Sequence, residues 1–254
     1  MCAVSFLNTS PLVWGLLHGP QRDLFELTFA VPSECSDRVA RGESDIGILP
    51  VVEVERLGLE AIRGAGIACR GAVRSILLIS KVPPAGIRTL AADTSSRTSV
   101  MLTRVILAER YGCVPDLLPH APVLERMLEQ ADAALIIGDP ALHLDPAQLP
   151  FYVLDLGEQW EQMTSLPMVF AVWAGPKEVV TPDLPDAFLG SYRHGVEHLD
   201  EIIAQESKNR GIPAELARKY LTSHIHFELG ELEYTGMRLF LDKCGRLESV
   251  ASPR

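Results

Sequence analysis

Two short polar segments carry the residue types that hold anions. Asn8-Thr9-Ser10-Pro11 ends an apolar strand-like run and opens a helical pattern, with Ser10 placed to cap the helix and Pro11 at its first position. Asp93-Thr94-Ser95-Ser96-Arg97-Thr98-Ser99 stands in the same relation to a later strand and a longer helix, and five of the six residues from Thr94 to Ser99 bear hydroxyls. One hydroxyl caps a helix, so the excess suits a nest for a carboxylate or phosphate, with a redundantly capped turn as the alternative. Free N–H groups at both helix starts add to the attraction. The pair predicts a site for a small ligand with two negative groups. Asn8 is an amide directly after an apolar strand, a position that calls for a hydrogen-bond partner. Ser75 opens another apolar strand, and Gly138-Asp139 follows Leu135-Ile136-Ile137. Asp139, ahead of Pro140, serves either as a proton acceptor or as a helix cap. Trp160 is placed to pack a helix or to wall a cleft.

The elements that must position these groups alternate between short apolar runs and amphipathic stretches, the pattern of an α/β protein. Strands are predicted at residues 3–7, 26–31, 45–49, 75–80, 89–92, 114–118, 133–137, 151–154 and 168–174. Helices are predicted at 11–18, 34–41, 51–57, 96–111 (stopping at Gly112) and 122–130, and from residue 183 onward the pattern is purely helical, over 183–208, 213–221 and 229–241. Helices alone cannot build a third sheet, so they are expected to pack on one already formed. The predicted architecture has two lobes: residues 1–86 plus 171–254, and residues 87–170, with crossings near 82–84 and Pro167. The ligand site belongs in the cleft between them.

With 23 Lys and Arg against 33 Asp and Glu, the formal charge is −10, and no basic run breaks the acidic background. Nucleic acid and anionic membrane surfaces are therefore not expected partners, and an anionic ligand must be held by local donors. The five cysteines are scattered without CxxC spacing and read as reduced, mostly buried thiols. The sequence contains no GxGxxG after a strand, no Walker lysine loop, no GxSxG elbow and no HExxH helix. His194 and His198 share the spacing of a metal-binding helix face, but the spacing supplies no third ligand, so a surface placement is expected. No run approaches the length of a membrane helix, and Met1 leads straight into a strand, so a cytoplasmic location is expected.

Five motifs in order, residues 4–12, 42–50, 93–99, 135–139 and 164–173, resemble the chorismate dehydratases of the futalosine route to menaquinone. The resemblance spans about residues 4–241. It implies a two-lobed periplasmic-binding-protein type II fold used as an enzyme without metal or organic cofactor. Its reaction removes water from chorismate to give 3-[(1-carboxyvinyl)oxy]benzoate. A sister family, which makes 1,4-dihydroxy-6-naphthoate, is expected to carry a His near the position of Gly138 here and to begin with a Ser-Pro-Cys-Pro-Asn-like segment absent from this chain. Solute-binding proteins of the same fold are a third reading. For a dianionic substrate, the expected binding residues are Ser95, Ser96, Arg97, Thr98 and Ser99 in one nest and Thr9, Ser10 and Ser75 in the other, with Gly138 beside them. The base is open between the substrate's own enolpyruvyl carboxylate, with Asn8 orienting either that carboxylate or the reacting C4 hydroxyl, and Asp139.

Overall fold

In the computed structural model, which describes residues 1–251, two mixed sheets each collect strands from distant parts of the chain. The elements are β1 (Cys2–Val4), α1 (Ser10–His18), β2 (Thr28–Ala30), α2 (Pro32–Ala40), β3 (Gly47–Pro50), α3 (Val51–Arg56), β4 (Glu60–Cys69), β5 (Ile76–Ser80), β6 (Thr89–Asp93) and α4 (Arg97–Tyr111). There follow β7 (Asp116–His120), α5 (Leu124–Gln130), β8 (Ala133–Ile137), α6 (Asp139–Leu142), β9 (Tyr152–Asp155), α7 (Leu156–Thr164) and β10 (Met168–Gly175). The chain ends with α8 (Leu184–Glu197), α9 (Leu199–Arg210), α10 (Ala214–Lys219), β11 (His226–Glu228) and α11 (Glu231–Ala251). The first sheet has the order β11-β4-β10-β3-β1-β2 and the second β7-β6-β8-β5-β9. β1, β2 and β3 run parallel, as do β6, β7 and β8, while β10 and β5 are antiparallel to their neighbours.

Two boundaries differ from the expectation. β5 pairs with β8 and β9, so the first crossing lies between Cys69 and Ile76 rather than at 82–84, and residues 76–86 belong to the second lobe. β10 pairs along its whole length with β4 of the first sheet, so residues 168–170 belong to the first lobe. The reason is pairing: all five residues of β5 and all eight of β10 are buried, and such runs bond on both sides wherever a sheet accepts them.

β4 was not predicted. Its sequence, EAIRGAGIAC, interrupts the apolar run with Arg63, Gly64 and Gly66. Both glycines are structural. Gly64 holds φ +106°, and a Cβ on Gly66 would lie 2.7 Å from the Ala171 carbonyl and 2.6 Å from Leu229, so the strand bulges and closes tightly on β10. The predicted single helix over 183–208 is two, broken at His198, and the region read as purely helical contains β11. The ending of α4 at Gly112, in the left-handed conformation at φ +66°, is as expected. The five cysteines are free thiols, and no helix among the described residues is long and apolar enough to cross a membrane.

Candidate functional site

The cleft lies where parallel strands end. Val4 closes β1, Pro32 follows β2, Pro50 closes β3, Ser96 follows β6 and Gly138 follows β8; all five line one cavity. Ligands of open α/β sheets bind in such a crevice because chain reversals leave room there and helix N-termini point into it. Phe6, Ile67, Val73, Ile76, Ile137, Phe170 and Ile225 give it apolar walls, and its polar side chains are Asn8, Ser75, Ser96 and Ser99. Among the described residues, no charged side chain lines it.

Of the expected binding residues, the structure gathers Asn8, Ser75, Ser96, Ser99 and Gly138 at the cleft and sends the others elsewhere. Ser96 caps α4: its Oγ accepts from the Ser99 N–H at 3.4 Å and lies 3.0 Å from the Ser99 hydroxyl. The Arg97 and Thr98 amides at the start of α4 have no carbonyl one turn behind them and remain available to an anion. Ser95 offers its carbonyl to the Ser33 N–H at 2.9 Å, while its own N–H donates to the buried Asp93 at 3.0 Å. Burial pushes the Asp93 carboxyl above its ordinary pKa. Thr98 is fully buried away from the cleft, and its hydroxyl finds no partner among the described residues.

On the other side, Leu7–Thr9 forms a single tight turn that leads into α1. Helical geometry therefore begins before Ser10, which is not the cap; its side chain lines a separate hollow with Trp14, His18 and Arg210. Thr9 is buried outside the cleft lining. Trp160 packs rather than walls the site, donating to the Pro167 carbonyl at 3.1 Å and meeting Phe240 edge-on.

Arg97 and Asp139 have become clasps between the lobes. Arg97 reaches from α4 to Glu53 on α3 at 2.6 Å and to Asp37 on α2 at 3.0 Å. Glu53 is almost fully buried and is also held by Arg56 at 2.7 Å. Asp139 is ion-paired with Arg210 and accepts from the Leu7 N–H at 2.9 Å. Arg210 in turn binds Glu206 and the Ser5 carbonyl, each at 2.7 Å. Asp139 is not among the residues that line the cleft, so its carboxylate is not placed against a ligand bound there. Glu53→Gln should weaken substrate binding by about tenfold with little change in kcat, and lower stability by about 1–2 kcal/mol, since the arginines are partly exposed. Steady-state kinetics alongside denaturant titration reads both; an unchanged KM would separate Glu53 from closure.

No sequence pattern singles out Tyr220. It is fully buried in a wide helical turn after α10, and there its phenol joins two site residues: Asn8 Nδ2 donates to the Tyr220 oxygen at 3.1 Å, and the Tyr220 hydroxyl donates to Ser75 Oγ at 2.8 Å. Burial pushes the phenol well above its ordinary pKa, so it stays protonated and able to donate. With Nδ2 committed, Asn8 keeps its Oδ1, which has no partner among the described residues, as an acceptor for a ligand. Tyr220→Phe should cost about 1–3 kcal/mol by leaving buried polar atoms unpaired and lower kcat about tenfold. Thermal unfolding and initial rates check it; wild-type turnover would show that Asn8 needs no such support.

Gly138 closes the site with φ +64° and ψ −145°, and a Cβ there would lie 2.7 Å from the Phe6 ring. Its N–H donates to the Ser75 carbonyl at 2.8 Å.

A family model described as menaquinone biosynthesis matches residues 1–246. A chorismate dehydratase from Thermus thermophilus is 29% identical over 260 aligned positions, covering 94% of this chain and 93% of that protein. Among solved structures, a protein from Archaeoglobus fulgidus superposes with a TM-score of 0.75 at 17% identity, over 98% of this chain and 97% of the other. The periplasmic aliphatic sulphonate binding protein of Escherichia coli does so with a TM-score of 0.65 at 13% identity, over 99% and 87%. The fold is therefore the two-lobed one of periplasmic binding proteins.

Proposed function

Because the chain belongs to the menaquinone-biosynthesis family, we propose that it is a cytoplasmic hydro-lyase that converts chorismate to 3-[(1-carboxyvinyl)oxy]benzoate and water. The observation that carries this reading is a cleft with neutral polar groups from both lobes, apolar walls and, among the described residues, no cation, beside a curated relative that is a chorismate dehydratase.

Chorismate is a cyclohexadiene ring with two carboxylates, an enol ether at C3 and a hydroxyl at C4. The apolar walls suit the ring. One carboxylate sits at the start of α4, among Ser96, Ser99 and the first amides, where the positive end of a 15-residue helix replaces a cation. Ser75 serves the other end of the substrate, and Asn8 Oδ1 accepts from the C4 hydroxyl. The enolpyruvyl carboxylate folds back through a six-membered arrangement and takes the C3 proton. The electron pair spreads through the C1–C2 double bond onto the ring carboxylate, where donors bind the transition state more tightly than the ground state. Hydroxide then leaves C4, takes the proton from the enolpyruvyl carboxyl and departs as water, and the ring becomes aromatic. No protein base is needed; the residues orient and stabilise.

Phe6 occupies the space beside Gly138 that a side chain would need, which counts against the sister naphthoate synthase and its histidine. Chorismate and cyclic de-hypoxanthine futalosine, offered separately to the purified protein and followed by mass spectrometry, test the assignment. Turnover of chorismate alone is expected. Turnover of the futalosine compound would transfer the chain to the sister activity.

A further inference from the structure

Spacing alone set His194 and His198 on one helix face without a third ligand; the structure supplies it in Glu197. We infer that His194, Glu197 and His198 form a binding site for a divalent transition-metal ion of the zinc class, at the corner between α8 and α9. One ligand atom from each lies within 4.8 Å of the other two, and among the described residues no other trio of His, Cys, Asp or Glu is so grouped. The imidazoles are in contact, with centroids 4.1 Å apart and planes tilted by 37°. His198 Nδ1 donates to the His194 carbonyl at 2.9 Å, which fixes the ring and leaves Nε2 free to ligate. An imidazole oriented through its second nitrogen is the usual arrangement of a metal ligand.

The corner is rigid. His198, at φ −110° and ψ 22°, ends α8 and begins α9, and α8 is pressed onto α1 so closely that a Cβ on Gly195 would lie 2.2 Å from the Pro11 carbonyl. Charge at the corner is balanced: α8 ends and α9 begins there, so their dipoles oppose, and Asp200 is paired with Arg218 at 2.6 Å, so the ligand set itself must hold the ion. Two imidazoles and one carboxylate are a zinc ligand set that leaves a fourth position to water, and copper and nickel ions compete for the same nitrogens. None of the three residues lines the cleft, so the site is separate from the proposed chemistry.

The full chain, without an affinity tag and stripped with a chelator, is titrated with Zn2+ by calorimetry and with Co2+ by visible absorption. The expected result is one ion per chain, the visible bands of nitrogen- and oxygen-ligated cobalt, and a Tm raised by about 5 °C when free Zn2+ is a hundredfold above Kd. His198→Ala should weaken binding at least tenfold, and the exposed Glu197→Gln, which leaves the fold undisturbed, should weaken it about tenfold. His143→Ala should change nothing. Absence of stoichiometric binding, or binding equal in Glu197→Gln, His198→Ala and the unsubstituted chain, would mean an adventitious ion only and overturn the inference.

Discussion

Asn8→Ala is expected to lower kcat/KM for chorismate by about 10²- to 10³-fold, the loss seen when one preorganised polar contact to reacting atoms is removed. Three observations set that size. Asn8 is 8% exposed and lines the cleft, its Nδ2 is committed to Tyr220, and its Oδ1 has no partner among the described residues. An amide held from one side has a single orientation, so the acceptor is fixed before substrate arrives and no reorganisation is required during the reaction. Alanine removes the acceptor and leaves the Tyr220 hydroxyl one partner short, yet Tyr220 still donates to Ser75, so the fold should survive. The loss should fall mainly in kcat, because the C4 hydroxyl contributes little to binding compared with two carboxylates. Initial rates across substrate concentration, with a melting curve to confirm folding, check this; a variant as fast as the parent would take Asn8 out of the reaction. Asp139→Asn is expected to behave differently. It loosens the tie to Arg210 and so lowers stability and affinity, whereas a folded Asp139→Asn that binds chorismate normally but does not turn it over would restore a protein-borne base.

Gly138→Ala should reduce turnover at least a hundredfold while costing about 1–3 kcal/mol of stability. The backbone cost comes from a φ, ψ combination that residues with a Cβ almost never adopt. The catalytic cost comes from Phe6. A methyl 2.7 Å from its ring forces the ring to swing, and that ring is one wall of the cleft. The peptide that must adjust also donates to the Ser75 carbonyl, so the shift reaches a second cleft residue through one hydrogen bond. Misplacing a positioning group by an ångström is enough for a loss of this order. Unfolding midpoints and kcat measured on the same preparation separate the two effects; full activity in Gly138→Ala would mean that the Phe6 wall does not define the substrate's pose.

What could be read from the sequence was local. Asn8 and Gly138 directly follow the end of a predicted strand, and Ser96 and Ser99 stand in the first turn of the helix predicted after one, so a polar or glycine residue at a strand-to-helix turn located them without tertiary information. Ser75 was legible for the mirror reason, standing just before β5. The same logic overreached for Ser10, Ser95, Arg97 and Thr98, because a run of polar residues around a helix start turns successive side chains in different directions, and only two of the hydroxyls in 93–99 reach the cleft. Arg97 and Asp139 found partners more than 40 residues away, and pattern reading cannot foresee such pairings. Tyr220 lies in a helical segment whose periodicity marks it only as core, and its role arises because the chain returns to the first lobe after completing the second. β4 escaped because the glycines that let it bulge and close on β10 also erase the alternation by which strands are recognised.

On the proposed reading, neutral polar groups from two lobes hold a dianion so that it loses water. The most direct measurement is to mix the purified protein with chorismate and follow the ultraviolet absorbance of the aromatic enol ether, identifying the product by mass. The expected result is conversion to 3-[(1-carboxyvinyl)oxy]benzoate at a rate proportional to protein concentration and largely abolished in Asn8→Ala. Chorismate that binds, closes the lobes and is recovered unchanged would contradict the account and make the protein a carboxylate binder.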